Sequence, residues 1–201
     1  MNSSNKIKII ALFGKAGSGK DTIQKSVLAQ FENLVNEIIS CTTRPPRDYE
    51  KDGIDYHFLS IEDFTKKVLD GSMLEATEFR GWFYGTPFDS LDPNKINIGV
   101  FNIAGIQALL EDSRLEVYPV QVYAPDKICL MRQLLREENP DCEEICRRFK
   151  TDNNDFFEID FSSFFVWENY DVKETLSEHL IDVSNTFARL LEKISLCAND
   201  D

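Results

Sequence analysis

Apolar residues along the chain fall in short runs separated by stretches with helical spacing. The first run, Ile7 with Ile9 to Phe13, predicts a buried strand, and an amphipathic stretch from Asp21 to Phe31 predicts a helix. Glu37–Cys41 and Tyr56–Leu59 read as short strands. Ile61, Phe64 and Val68 share one face of a helix over 61–69, with Ser60 as cap, Asp63 in the capping-box position and Gly71 as its stop. Met73–Phe79 and Trp82–Tyr84, joined by Arg80-Gly81, predict an antiparallel pair. A strand–helix rhythm follows: strand 96–101, helix 103–110, strand 115–123, helix 126–138 stopped near Pro140, helix 142–149, strand 164–167 and a final amphipathic helix 172–196. Alternating strands and helices imply a parallel sheet covered on both faces. The segment from about 40 to 90 reads as a small mixed sheet inserted between its units.

Size and charge narrow the picture. The 201 residues suit one α/β domain, and a 42% hydrophobic content suffices for its core. The net charge of −13 argues against general binding to nucleic acid or anionic membranes, and makes local basic clusters more telling. No apolar run approaches a membrane span, and Met1–Asn5 is too short and polar for a signal peptide. Cys41, Cys129, Cys142, Cys146 and Cys197 form no metal pattern and read as reduced thiols of a cytoplasmic chain. The isolated His57 and His179 take no role, and the oligomeric state is not encoded in any pattern here.

The sharpest chemical signal is Gly14-Lys15-Ala16-Gly17-Ser18-Gly19-Lys20, between the first strand and the first helix. Glycines let such a turn approach a phosphate closely. Its amides and the helix N-terminus then face the anion, and Lys20 adds a point charge. The residue after the lysine is Asp21, where a hydroxyl would ordinarily contact Mg2+. Its carboxylate either holds the metal, directly or through water, or caps the helix. Thr22 still offers a hydroxyl to the inner phosphates. A second signal is Arg44-Pro45-Pro46-Arg47, two guanidiniums braced by prolines, with the hydroxyls of Tyr56 and Tyr84 on nearby strands. These four groups suit a second phosphate, although Asp48 and Glu50 offer the arginines local carboxylate partners.

At these residues the chain resembles the guanylate kinase family. The resemblance runs from Ser40-Cys41-Thr42-Thr43-Arg44-Pro45-Pro46-Arg47 through Gly53-Ile54-Asp55-Tyr56-His57-Phe58, Leu74-Glu75-Ala76, Tyr84-Gly85-Thr86 and Gly105 to the Arg132, Arg136 and Arg147-Arg148 pattern. It implies a P-loop NTPase core at 1–39, 96–130 and 156–201, an NMP-binding subdomain at 40–95 and a helical lid at 131–155. By the same resemblance, Arg44, Arg47, Tyr56 and Tyr84 hold the acceptor monophosphate, while Ser40, Glu75 and Thr86 face its base. A carboxylate at Glu75 suits the N1–H and amine of guanine. The lid arginines Arg132, Arg136 and Arg148 then join Lys20 and Arg44 in neutralising the transferring phosphoryl. Arg147 is the substitute for Arg148, and Asn169 lies near the donor adenine.

The chain departs from the family at three places. Val100 and Asn102 stand where a pair of aspartates is usual, with Asn102 at the base site, and Asp21 follows the lysine. The expected activity is Mg2+-dependent phosphoryl transfer from ATP to GMP or dGMP. The alternatives are a broad deoxynucleoside monophosphate kinase and a binding module that has lost catalysis. The expected partners are small nucleotides, not nucleic acid or membrane.

Overall fold

The computed structural model of the chain describes residues 6–46, 50–79, 81–136, 138–157, 164–169 and 176–197. A five-stranded sheet has the order β2 (Val35–Glu37), β7 (Ile96–Val100), β1 (Ile7–Phe13), β8 (Leu115–Tyr123) and β9 (Phe165–Glu168). Within it β2 runs parallel to β7, and β8 parallel to β9. A four-stranded mixed sheet has the order β4 (His57–Phe58), β3 (Cys41–Thr42), β6 (Trp82–Pro87) and β5 (Met73–Phe79). The expected α/β class with a second, mixed sheet is therefore borne out. The fully buried Ile9, Ile10, Ala11 and Leu12 explain why β1 is an unbroken apolar run rather than an alternating one.

The chain divides into two compact units. One comprises Met1–Ala11 and Asn33–Val117. It holds the mixed sheet, α2 (Ile61–Leu69) and α3 (Ile103–Glu111). Helix α2 starts where the sequence places it: the Ser60 side chain accepts from the Asp63 backbone N–H at 3.0 Å and donates to the Asp63 carboxylate at 2.8 Å. Its buried Phe64 stacks on Phe83 of β6 at 5.7 Å between ring centres. The antiparallel β5–β6 pair is also as expected, with Glu75 directly opposite Thr86.

The other unit comprises Leu12–Glu32 and Tyr118–Asp201. Here α1 (Lys20–Gln30) packs on α6 (Leu176–Cys197). Val183, Phe187, Leu190 and Ile194 are buried at helical spacing, and Phe31 meets Phe187 at 4.7 Å. Helices α4 (Asp126–Leu134) and α5 (Cys142–Phe157) complete this unit.

Several element boundaries differ from the periodicity reading, among them the end of β6, which runs to Pro87 rather than Tyr84. The expected strand over 37–41 is two strands in two sheets: β2 pairs with β7, whereas Cys41 and Thr42 pair with β4 and β6. Helix α4 ends at Leu134, so Arg136 lies past its end rather than on its face. Helix α5 runs eight residues beyond Phe149, through Thr151, Asp152, Asn153 and Asn154. Those are weak helix formers, but Phe156 stacks on Phe13 at 6.2 Å and the polar side chains are held by the glycine-rich turn, so tertiary contacts override propensity. The final helix is described from Leu176, and the first residues expected of it, 172–175, lie outside the described residues.

Candidate active site

In the second unit, the turn from Gly14 to Gly19 joins β1 to α1. Gly14, Gly17 and Gly19 have φ of 152°, 81° and 96°. A Cβ at each would strike, respectively, the Val122 carbonyl at 2.3 Å, the Cys129 carbonyl at 2.4 Å and the Asn169 amide at 2.2 Å. Only glycine fits all three. The turn's carbonyl oxygens are taken one after another. Lys20 Nζ donates to Gly14 O at 2.8 Å and Lys15 O at 3.0 Å. Gln133 donates to Ala16 O at 3.1 Å, Arg132 to Gly17 O at 3.4 Å and to Ser18 O at 3.1 Å, and Asn169 to Ser18 O at 2.7 Å. With the oxygens so held, the turn directs N–H groups toward an anion, although the Ala16 N–H is donated to Asp152 and the Ser18 N–H to the Lys15 carbonyl.

Helix α1 then begins without a side-chain cap. Its N-cap is Gly19 in left-handed conformation, so Asp21 is a first-turn residue and not the cap. An uncapped N-terminus with bare amides favours a phosphate. Ser18 Oγ is buried with no hydrogen-bond partner, a further polar atom that a phosphate oxygen or its water would satisfy. Beside it a cleft of about 450 Å³ is lined by Lys15, Ser18, Gln121, Tyr123, Asn153 and Phe156 among others. These features fit a nucleotide triphosphate. Burial pushes the Lys20 ammonium below its ordinary pKa, while the carboxylates of Asp21 and Asp152 oppose that shift.

The exposed Asp21 carboxylate stands 3.7 Å from Arg136. It is an accessible oxygen donor of the kind Mg2+ takes, and Thr22 beside it is also exposed. Among the described residues no cluster of three His, Cys, Asp or Glu side chains forms a metal site, so any magnesium here would be held mainly by phosphate and water. Arg132 is thus on the turn, and Arg136 beside the first turn of α1. Arg148 binds Glu144 on its own helix at 2.6 Å, as Arg147 does at 2.9 Å.

The first unit holds the second cluster. Pairing across β3, β6 and β5 sets Ser40, Thr86 and Glu75 side by side. Thr86 Oγ1 donates to Glu75 Oε1 at 2.8 Å, and Ser40 Oγ lies 3.2 Å from Thr86 Oγ1. Since the Thr86 proton goes to Glu75, Ser40 donates to Thr86. Burial raises the Glu75 pKa, partly offset by the Thr86 bonds. Its second oxygen stands 3.5 Å from where a Gly105 Cβ would be. Asn102 caps α3, accepting from the Gly105 N–H at 2.7 Å and donating to Thr77 at 3.2 Å.

Arg44 forks onto Glu50 at 2.8 and 2.9 Å, lies over the Tyr56 ring at 5.6 Å and hydrogen-bonds with Tyr84. Glu50 holds the guanidinium firmly charged. This is the local carboxylate pairing weighed in the sequence, and it gathers Arg44, Tyr56 and Tyr84 into one cluster. Arg47 lies outside the described residues.

Sequence reasoning missed Asp152 and Asn153, which contact the turn from α5. Arg148 and Asp152 are one helical turn apart, so extending the helix past Phe149 was the signal available.

The family model described as guanylate kinase matches residues 6–183. The chain is 31% identical over 191 residues to the guanylate kinase of Maricaulis maris, covering 93% of this chain and 80% of that protein. It is 33% identical over 177 residues to the guanylate kinase of Prochlorococcus marinus, covering 85% and 94%. Among solved structures it resembles the guanylate kinase of Anaplasma phagocytophilum with a TM-score of 0.62 at 20% identity, covering 92% and 87%, a likeness of fold.

Proposed function

The chain belongs to the guanylate kinase family, nucleoside monophosphate kinases that phosphorylate GMP, and from that premise we propose how its residues divide the work. ATP binds at the turn Gly14–Lys20, its phosphates on the amides and on Lys20. Thr22 faces the inner phosphates and Asn169 the adenine side. GMP or dGMP binds in the other unit. Arg44, Arg47, Tyr56 and Tyr84 take its phosphate, and Ser40, Glu75, Thr86 and Asn102 take its base. An acceptor phosphate oxygen attacks the γ-phosphorus, the bond from that phosphorus to the β–γ bridging oxygen breaks, and ADP leaves. No covalent enzyme intermediate is needed. Alignment and charge neutralisation by Lys20, Arg132 and Arg136 carry the rate, with Arg148 joining if the lid at 131–155 brings it to the phosphates.

Magnesium bound with ATP supplies further positive charge, and Asp21 would hold it through water. We further assign 40–95 as the NMP-binding subdomain and 1–39, 96–130 and 156–201 as the core. The free thiols of Cys41, Cys129, Cys142 and Cys146 suit the cytoplasm to which we assign the reaction. Among the described residues no helix is long and apolar enough to cross a membrane.

The observation that carries the guanine reading is the Ser40–Thr86–Glu75 chain. Thr86 occupies one carboxylate oxygen and leaves the other to accept from the base. Guanine presents two donors there, N1–H and the amine. Adenine presents an acceptor at N1, which would leave the second Glu75 oxygen without a donor at a cost of about 1–3 kcal/mol. The Ser40 hydroxyl can turn from Thr86 to donate to guanine O6.

The test is ADP release from Mg·ATP with GMP, dGMP, AMP, dTMP and dCMP in turn. We expect turnover with GMP and dGMP. Comparable turnover with the pyrimidine acceptors would mean a broad kinase, and none with any acceptor would mean a binding module.

A further inference from the structure

Helix α5 meets the glycine-rich turn through two consecutive side chains. Asp152 Oδ2 accepts from the Ala16 backbone N–H at 2.6 Å, and Asn153 Oδ1 accepts from Lys15 Nζ. Lys15 is held as well by Asp126 of α4 at 2.7 Å. Asp152 is half-buried, and its charge reaches Lys20. An anionic oxygen on an amide of this turn, within the field of the lysine, has the chemistry of a phosphate oxygen in the same place. The Ala16 amide has one proton. A carboxylate and a phosphate cannot both use it fully, and two anions so close repel.

We propose that Asp152 is an internal competitor of the donor's phosphates: it holds the Ala16 amide before ATP arrives, must give it up when the triphosphate binds, and so weakens ATP binding. This rests on the reading of the turn as the ATP site. Asp152 is not a catalytic residue in this scheme. Its carboxylate leaves the amide before the phosphoryl moves, and the contact acts on the ground state of the free enzyme. Asn153 and Asp126 keep α5 and α4 close to the turn through Lys15, so withdrawal of Asp152 alone need not undock the helix.

The test compares ATP affinity, by calorimetry on the whole chain, in the wild type, Asp152→Ala, Asp152→Asn and Asp155→Asn. Asp155 is exposed on the same helix, so its variant removes the same charge without the contact. Asp152→Ala should tighten ATP about tenfold, since a hydrogen bond to a charged group contributes about that factor. Asp152→Asn, which keeps the shape and loses the charge, should change in the same direction. Asp155→Asn should stay within about twofold. The Ala16 amide, followed by hydrogen exchange, should be protected in the wild type before ATP is added and lose that protection in Asp152→Ala.

Unchanged or weaker ATP binding in the folded Asp152 variants would overturn the proposal, as would equal tightening in Asp155→Asn. If ATP binds none of the four proteins, the kinase reading itself falls and the proposal with it. If Asp152→Ala does not fold, the isosteric Asp152→Asn decides.

Discussion

Glu75 shows how one carboxylate trades stability against recognition. It is half-buried, accepts from Thr86, and has its pKa raised by burial. In the unfolded chain a glutamate ionises near its ordinary pKa of about 4.3. The folded state ionises at higher pH, so between the two values it binds more protons than the unfolded state. Stability therefore falls as pH rises through that window and stays lost above it. Glu75→Gln keeps an oxygen for Thr86 and removes the buried charge. We expect its melting temperature at pH 7 to match or exceed the wild type, with the difference shrinking as pH falls below the ordinary glutamate pKa. A large loss of stability at pH 7 would mean the carboxylate makes a structural bond beyond the Thr86 contact.

Much at this scale was legible. Ser40, Glu75 and Thr86 could be named because their motifs stand in family order, and strand register then explains their meeting. Asp152 was not named: helical spacing from Arg148 could have placed it on that face, but its partner, the Ala16 N–H 136 positions away, leaves no local pattern.

Among the elements, the starts of α1, α2 and α3 differ, and α4, which follows Pro125, also begins without a side-chain cap. Helices α2 and α3 are closed by Ser60 and Asn102, whose side chains accept first-turn amides. Helix α1 begins at Gly19 with no such acceptor, so its first amides are open to the phosphates proposed to bind there. Gly19→Ala tests that arrangement. A left-handed alanine costs about 1–2 kcal/mol, and its Cβ would displace Asn169 from the turn. We expect a stability loss of at least that size and weaker ATP binding, with GMP binding unchanged. Unaltered ATP affinity would show that the bare helix start is not what holds the nucleotide.

Periodicity found α2, α3, β5 and β8 almost to the residue, and the two helices carry side-chain caps at their starts. It merged β2 with β3, since a chain passing from one sheet to another carries no polar break: Ile38 between them is buried as the strands are. It also cut α5 short, since the contacts that extend it come from the turn and from Phe13.

At the scale of the whole molecule, the two side-chain clusters proposed to bind nucleotide belong to different units. The turn with Lys20, Arg132, Arg136 and Asn169 lies in one, and Ser40, Arg44, Tyr56, Glu75, Tyr84 and Thr86 lie in the other. The α/β class with its parallel and mixed sheets was legible from the strand–helix rhythm, and the family from the motifs. The pairing of Arg44 with Glu50 was weighed in the sequence but not decided there, because a guanidinium fork suits a carboxylate and a phosphate alike.

Glu75, set by Thr86, is proposed to select the guanine acceptor. The measurement is the ratio of kcat/KM for GMP to that for AMP, in the wild type and in Glu75→Gln. We expect the variant to lose about tenfold or more in kcat/KM for GMP, with AMP unchanged or improved, so that the ratio collapses. An unchanged ratio with full GMP activity would contradict the account.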